Sequence, residues 1–297
     1  MSKGVVLSVS STSLFAGLYY YATLLHPLNG EEIYGLRMLL TLPFVTLFMM
    51  LSKEWHRVGT IIKRMRDKPS LVLGVIVSSA LLGVQQWLFL WAPLNGSALQ
   101  VSLGYFLLPL TMLAVGRILY REQPSSLQKI AGFIAALGVG HAVYQAGAFS
   151  WEALLVCLGF PAYFVLRKTL STDNLGGLWF DMLCTLPVAL WFIFRTPSTI
   201  ASFSDKPSLY ALVLILAAVS AAAFMCYVVA SKLLPFSLFG LLGYVEPVLM
   251  VLVALVLGEQ IGADEWFTYV PIWAAVGILV LDGLRHIRAS GRVPALA

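Results

Sequence analysis

Ser102–Gln123 reads SLGYFLLPLTMLAVGRILYREQ, and Leu242–Gln260 reads LGYVEPVLMVLVALVLGEQ. Both run Leu-Gly-Tyr, then a proline three or four residues on, then an apolar stretch closed by Glu-Gln. The offset hardly drifts: 139 residues from Leu103 to Leu242, 138 from Pro109 to Pro247 and 137 from Glu122 to Glu259. Ala135–Val139 (AALGV) returns as Ala274–Ile278 (AAVGI), again 139 residues on. Self-similarity at a fixed spacing governs the architecture, so it is settled before any single element. Two copies of one unit, residues 1–146 and 147–297, account for the chain.

Composition says where such a unit can live. Hydrophobic residues make up 60% of the 297 and charged residues only 11%, against about a quarter charged in ordinary soluble domains. Mean hydropathy is +0.88, with the charges gathered into short clusters between long apolar runs, as in a polytopic membrane protein. The net charge of +5 does not imply nucleic acid as a partner, because the basic residues sit in alternate loops and form no single surface. The first apolar run, 4–25, is of spanning length and lacks a small-residue cleavage site, so it reads as a span and not a secretory signal. Cys157, Cys184 and Cys226 lie singly inside apolar runs, without metal or disulfide spacing. The four histidines show no ligand constellation, and no cofactor or metal is expected.

A helix needs about 20 apolar residues to cross the hydrocarbon core. Ten segments meet that length: 4–25, 33–52, 70–92, 98–120, 127–146, 151–168, 176–194, 208–231, 236–257 and 267–284. One alternate set of loops carries Lys3, then Lys53, Arg57, Lys63, Arg64, Arg66 and Lys68, then Arg117, Arg121 and Lys129. It continues with Arg167 and Lys168, Lys232, and Arg285, Arg288 and Arg292, making sixteen of the 19 basic residues. The other set has only Arg195 and Lys206, while Arg37 lies within a helix. The positive-inside rule then puts both termini in the cytoplasm, which an even number of spans permits. Five spans per copy reverse the direction of the second copy. The expected fold is therefore all-α, with ten transmembrane helices in two inverted five-helix repeats. Inverted repeats mark secondary transporters, whose substrate sits near the bilayer midplane between the halves.

These residues resemble the drug/metabolite transporter superfamily. Within it the chain is similar, over nearly its whole length, to the chloramphenicol-sensitivity (RarD-like) branch. The carrying residues in the first half are Glu31 or Glu32 followed by Arg37, Gln86-Trp87-Leu88, Ser102 to Phe106 with Pro109-Leu110, and Glu122. Arg167-Lys168, Asp181 ahead of Leu186-Pro187, Gly258-Glu259, and Phe267 through Ile272-Trp273 to Asp282 carry it in the second. The resemblance implies a permease of the bacterial inner membrane moving a small organic solute through a central cavity lined by helices of both halves. Gln86 stands where that branch suggests Asn, and Glu246 where a neutral residue usually precedes the proline.

Glu246 falls near the middle of the ninth segment, where a carboxylate costs about 2.5–3.5 kcal/mol on insertion scales and must face the bundle interior, a partner or water. It reads as a proton-coupling or amine-binding group, or as a structural carboxylate tied to a neighbouring helix. Arg37 reads as a ligand for a substrate carboxylate, or as a side chain snorkelling outward or paired with Glu32. Asp181, on the repeat partner of Arg37's helix, reads as a gate or as a helix tether. Gln86, Trp87, Ser102, Tyr105 and Tyr244 are candidates to line an aromatic cavity suited to stacking and cation–π contact. Tyr19–Tyr21 and Trp91, near segment ends, read as an interfacial belt. Pro109 and Pro247 are expected to interrupt the fourth and ninth helices at the moving site, or to make fixed kinks. Glu122 and Glu259 read as structural ends of those helices.

The expected activity is secondary transport of a small amphipathic or aromatic metabolite, amino acid or drug by alternating access. Export is implied by the resemblance, with import of the same solutes as the rival. A rival from another class is an intramembrane enzyme using Asp181 and Glu246 as acid and base. No protease or nucleophile signature accompanies that pair. The expected partners are the solute, the bilayer and, as a coupling ion, protons; oligomeric state is not legible.

Overall fold

The computed structural model describes residues 2–92, 98–147, 150–195, 198–256 and 262–290. It is all-helical among those residues. In chain order the helices are α1 (Ser2–Thr23), α2 (Gly30–Leu51), α3 (His56–Asp67), α4 (Ser70–Trp91), α5 (Ala98–Leu119), α6 (Ser126–Ala146) and α7 (Trp151–Thr169). They continue with α8 (Leu175–Arg195), α9 (Ser198–Asp205), α10 (Ser208–Leu233), α11 (Phe236–Leu242), α12 (Val245–Val256) and α13 (Trp266–Ser290). Seven of them, α1, α2, α4, α5, α6, α8 and α10, are long and apolar enough to cross a membrane.

Local sequence sets the helix ends. Asn29 Oδ1 accepts from the Glu32 N–H at 2.9 Å, and the Glu32 carboxylate accepts from the Asn29 N–H at 2.7 Å, a reciprocal cap on α2. Ser125 and Gln128 repeat that arrangement on α6, and Ser150 Oγ accepts from Ala153 N at 3.2 Å on α7. Gly147, at φ +71°, ends α6 in the left-handed region that glycine tolerates. Helix α4 follows Pro69 and α10 follows Pro207, each opening Ser-Leu.

Helix α1 packs on α10, α2 on α8 and α10, and α4 on α7 and α8. Helix α5 packs on α7 and α11, α6 on α13, and α12 on α1. Glycines bring several crossings to backbone contact. A Cβ on Gly35 would meet the Ala189 carbonyl at 2.6 Å, and one on Gly138 would meet the Thr268 carbonyl at 2.6 Å. A Cβ on Gly104 would meet the Ala153 carbonyl at 2.9 Å. Close approach through small residues is how membrane helices gain packing when lipid is as apolar as their own side chains. The outside of the bundle stays apolar: Leu51, Leu73, Ile118, Phe133 and Phe194 are all exposed, as hydrocarbon solvent permits.

Short helices stand where the sequence reading expects only loops: α9 between α8 and α10, and α3 between α2 and α4. The charged stretch 53–68 holds an amphipathic helix, α3, whose Val58 and Ile61 are buried and whose last turn carries Arg64 and Arg66. Such a helix suits the plane of the headgroups. Arg64 ties it to the turn after α7, donating to the carbonyls of Leu170 at 2.7 Å and Ser171 at 3.0 Å.

The second difference concerns the prolines. Pro109 lies inside an unbroken α5, so the expected interruption is absent there. The ninth segment does break, and it breaks before its proline: α11 ends at Leu242 and α12 begins at Val245. Pro247 has no N–H to offer the carbonyl four residues back, and its ring crowds that carbonyl; the residue there is Gly243. The chain turns more tightly instead, with Gly243 N donating to Gly240 O at 2.9 Å and Glu246 N to Gly243 O at 3.2 Å.

Candidate functional site

The break sits beside an internal cavity of about 60 Å³. Gly240, Gly243 and Glu246, spaced three residues apart across the break, form one wall. Tyr105, Leu108, Pro109 and Met112 form another, at the spacing that keeps side chains on one face of α5. Phe15 from α1, Gln86 and Phe89 from α4, Phe160 and Phe164 from α7, and Phe224 and Tyr227 from α10 close it, and Arg37 enters from α2. The rings form a continuous wall: Phe15 lies edge-on to Phe224 at 5.3 Å between centroids, Tyr227 stands 4.9 Å from Phe239, and Phe89 lies 5.8 Å from Tyr105.

Arg37 is only 3% exposed. Its Nε donates to Ser220 Oγ at 2.9 Å. Its guanidinium carbon lies 5.2 Å from the Phe224 ring centre and 5.8 Å from that of Phe15, within the range of cation–π attraction. Nη2 is buried with no hydrogen-bond partner among the described residues. Pairing with Glu32 does not occur, because that carboxylate is engaged by the Asn29 N–H and the Thr199 hydroxyl.

Glu246 is the cavity's opposite charge. It lies in the first turn of α12, where a helix dipole favours an acidic side chain. Among the described residues its carboxylate neither accepts a hydrogen bond nor forms an ion pair within 4.0 Å of Arg37. Among the described residues that line it, the cavity thus holds one basic and one acidic side chain, from opposite halves of the chain and not in contact with each other.

Asp181 is fully buried and fully engaged. Ser78 Oγ donates to its Oδ1 at 2.9 Å and Ser79 Oγ at 3.1 Å. Tyr163 OH donates to Oδ2 at 2.9 Å, and Arg167 donates to the same oxygen and pairs with it. Arg167 Nη2 goes on to the Asn174 carbonyl at 2.8 Å. The cluster ties α4, α7 and α8 together near the start of α8. Asp181 is not among the residues that line the cavity of Glu246, so the two carboxylates do not share it.

Of the residues expected at the site, Arg37, Gln86, Tyr105, Pro109 and Glu246 meet in one cavity. Trp87, Ser102, Tyr244 and Pro247 do not. Trp87 lies on the next face of α4, lining a separate apolar groove of about 300 Å³ with Tyr34, Gly83, Thr185 and Phe192. That groove is bordered by the exposed Ile76, Val84 and Val188, on the lipid-facing side. Ser102 is exposed. Tyr244 is buried and its hydroxyl donates to the Phe106 carbonyl at 3.1 Å, fastening the break to α5. Pro247 is buried behind Glu246. Glu259 lies outside the described residues, but Glu122 is structural: its two oxygens accept the N–H groups of Phe236 at 2.6 Å and Ser237 at 2.7 Å, at the start of α11.

Sequence reasoning missed Ser220 and the Phe15–Phe224 clasp on Arg37. The relation between Arg37 and Asp181 that the repeat suggests has a matching register on the two helices. Arg37 stands six residues before Pro43 on α2, and Asp181 six residues before Pro187 on α8. The two helices carry opposite charges at matching positions.

Comparison with known proteins agrees with a transport reading. No family model matches the sequence. An uncharacterized transporter of Pasteurella multocida is 42% identical over 288 residues, 97% of this chain and 99% of its own. The chloramphenicol-sensitive protein RarD of Pseudomonas aeruginosa is 40% identical over 98% of this chain and 97% of its own. Protein RarD of Escherichia coli K12 is 29% identical over 98% of each. A solved crystal structure covering 96% of this chain and 99% of its own superimposes with a TM-score of 0.66 at 16% identity, a likeness of fold alone. With apolar helices of spanning length, a charged aromatic cavity among them and full-length relatives of this kind, the chain belongs to the RarD-like family of multi-pass membrane transporters.

Proposed function

We propose that this chain is a ten-span secondary transporter of the bacterial inner membrane, built from inverted halves 1–146 and 147–297 with both termini cytoplasmic. It moves a small amphipathic or aromatic solute outward through the central cavity by alternating access. The observation that carries this reading is the cavity itself, which draws its walls from both halves and sets Arg37 and Glu246, not in contact with each other, in a lining rich in aromatic rings.

The packing supports the two-fold relation. Exchange α1 for α7, α2 for α8, α4 for α10, α5 for the α11–α12 pair, and α6 for α13. The α1–α10 contact becomes α4–α7, α5–α7 becomes α1 with α12, and α2–α10 becomes α4–α8, while α2–α8, α5–α11 and α6–α13 map onto themselves; all are packed pairs. A bundle with this exchange symmetry has two related ways to open, one to each side, as alternating access requires.

In this reading the Asp181 cluster is the cytoplasmic gate, latched by Arg167, Tyr163, Ser78 and Ser79. Arg37, its counterpart in the other half, sits toward the outer end of α2. A cavity of about 60 Å³ is far below the several hundred Å³ of ligand pockets, so loading requires the gate to part. Protons are the proposed coupling ion, with Glu246 as their carrier. Flux of an amino-acid and drug panel into proteoliposomes, with and without a pH gradient, tests the proposal. Saturable flux supports it, and absence of flux for every solute overturns it. Uptake by Glu246→Gln that remains equally proton-driven removes Glu246 as the proton site while leaving transport standing.

A further inference from the structure

We infer that the cavity recognises a zwitterion: an α-amino acid with an apolar or aromatic side chain, its carboxylate on Arg37 and its ammonium on Glu246. The inference rests on the transport reading above and narrows it to a solute class.

Charge balance between Arg37 and Glu246 selects such a solute. Arg37 has spent Nε on Ser220 and is clasped between Phe15 and Phe224, yet its buried Nη2 has no partner among the described residues. A guanidinium so fixed presents its remaining donors in a set direction, the geometry that suits a carboxylate. Glu246 faces the same space with its carboxylate free of hydrogen bonds among the described residues. Neither side chain has an oppositely charged contact among the described residues, and a charge left unpaired in a low-dielectric interior is costly. A solute bearing only an amine would neutralise Glu246 and strand Arg37. One bearing only a carboxylate would do the reverse, and a neutral solute would strand both. A zwitterion satisfies the two together.

The remaining wall supplies the side-chain subsite. Tyr105, Phe160, Phe164, Tyr227 and Phe239 offer ring faces and edges, and the described lining residues bring no further full charge. A solute with a third charge is therefore disfavoured. Neutrality also serves translocation, because moving a net charge against the membrane potential costs energy. The Arg37–zwitterion–Glu246 assembly is neutral overall, so loading the site leaves its net charge unchanged.

The test uses the full-length protein in lipid nanodiscs for binding and in proteoliposomes for flux. The ligands are L-phenylalanine, phenethylamine and 3-phenylpropionate, which share one ring and differ only in carrying both groups, the amine alone or the carboxylate alone. L-leucine with its amine and acid counterparts forms a second series, and an uncharged aromatic amide serves as control. At least one amino acid is expected to bind ten-fold or more tightly than both of its singly charged analogues. Arg37→Gln is expected to abolish that preference while leaving amine binding in place, and Glu246→Gln to abolish it while leaving acid binding in place. The retained analogue shows in each case that the variant is folded. Equal affinity for amine and amino acid, or amino-acid binding unchanged in Arg37→Gln, overturns the inference. Flux of the uncharged amide with no amino-acid binding also overturns it and leaves transport intact. No flux of any compound overturns both.

Discussion

Arg167 and Asp181 form an ion pair sealed between α7 and α8, with 2% and 0% of their surfaces exposed. Removing one partner of such a pair leaves a buried charge unmet, at a cost of about 3–5 kcal/mol, whereas replacing both with apolar residues of similar volume is often neutral. Asp181→Ala is therefore expected to lower the thermal unfolding midpoint in detergent sharply, and the double variant Arg167→Met, Asp181→Leu to recover most of it. Ser78 and Ser79 keep a partner in the double variant, because both hydroxyls also reach the Val75 carbonyl, at 3.0 and 2.7 Å. If the cluster is also the cytoplasmic gate, the recovered protein will still transport poorly. Flux at wild-type rate in the stable double variant would reduce the pair to a tether.

Helices α5 and α11 meet where Gly240 leaves no room for a side chain. A Cβ there would lie 2.1 Å from Met112 Cβ and 3.4 Å from its Cα. Overpacking of a fitted interface costs about 1–3 kcal/mol, and this clash is with a near-backbone atom that cannot swing away. Gly240→Ala is expected to lower the unfolding midpoint and solute affinity together, since Gly240 lines the cavity. Gly17→Ala, where nothing lies within 4 Å of the new atom, is the matched control and should leave both unchanged. Truncating Met112 to Ala will not rescue Gly240→Ala, because the clashing atom remains; Met112→Gly should.

The apolar helices, and Arg37, Asp181 and Glu246 as charged side chains within them, were legible in the sequence, because a charge in a long apolar run is conspicuous whichever way it faces. Facing was the harder part. A helix between lipid and other helices is apolar on both sides, so periodicity carries little information. Gln86 and Trp87 were read together, yet adjacent residues point about 100° apart on a helix, and only Gln86 reaches the cavity. On α5 the cavity face runs through Tyr105, Leu108, Pro109 and Met112, and its continuation one turn earlier is the buried Val101, not Ser102. The two prolines looked equivalent in sequence, but only the chain around Pro247 breaks, where glycine stands four residues ahead. Helix α3 was hidden because a basic stretch between spans satisfies the positive-inside rule as a loop or as a helix.

Glu122 acts as a helix cap from 114 residues away. Pro235 precedes α11 without a side chain that can cap it, and the Glu122 carboxylate takes the first two N–H groups instead. Loss of a cap costs about 0.5–2 kcal/mol. Glu122→Ala should destabilise by the upper part of that range, and Glu122→Gln by less, because one acceptor oxygen remains. Amide hydrogen exchange localises the effect: the peptide covering Phe236–Leu242 should exchange faster in Glu122→Ala, with α6 and α13 unchanged. Uniform acceleration across the protein would mean that Glu122 supports the whole bundle and not α11.

The proposed inverted arrangement makes a prediction about sidedness that needs no solute. Helices α3 and α9 occupy matching places, each leading into a helix that opens Pro-Ser-Leu, at Pro69 and Pro207. If the halves are inverted, the two loops lie on opposite sides of the membrane. The charge supports this assignment: α3 carries Arg57, Lys63, Arg64 and Arg66, while α9 has no basic residue and ends at Asp205. Single cysteines at Asp67 and Asp205, on a background lacking Cys157, Cys184 and Cys226, should react differently with an impermeant maleimide added to intact cells. Labelling is expected at position 205 and, only after permeabilisation, at position 67. A reporter fused after Ala297 should be active on the cytoplasmic side. Labelling of both cysteines from the same side would leave the helices in place but remove the inversion, and with it the exchange of open states on which alternating access depends.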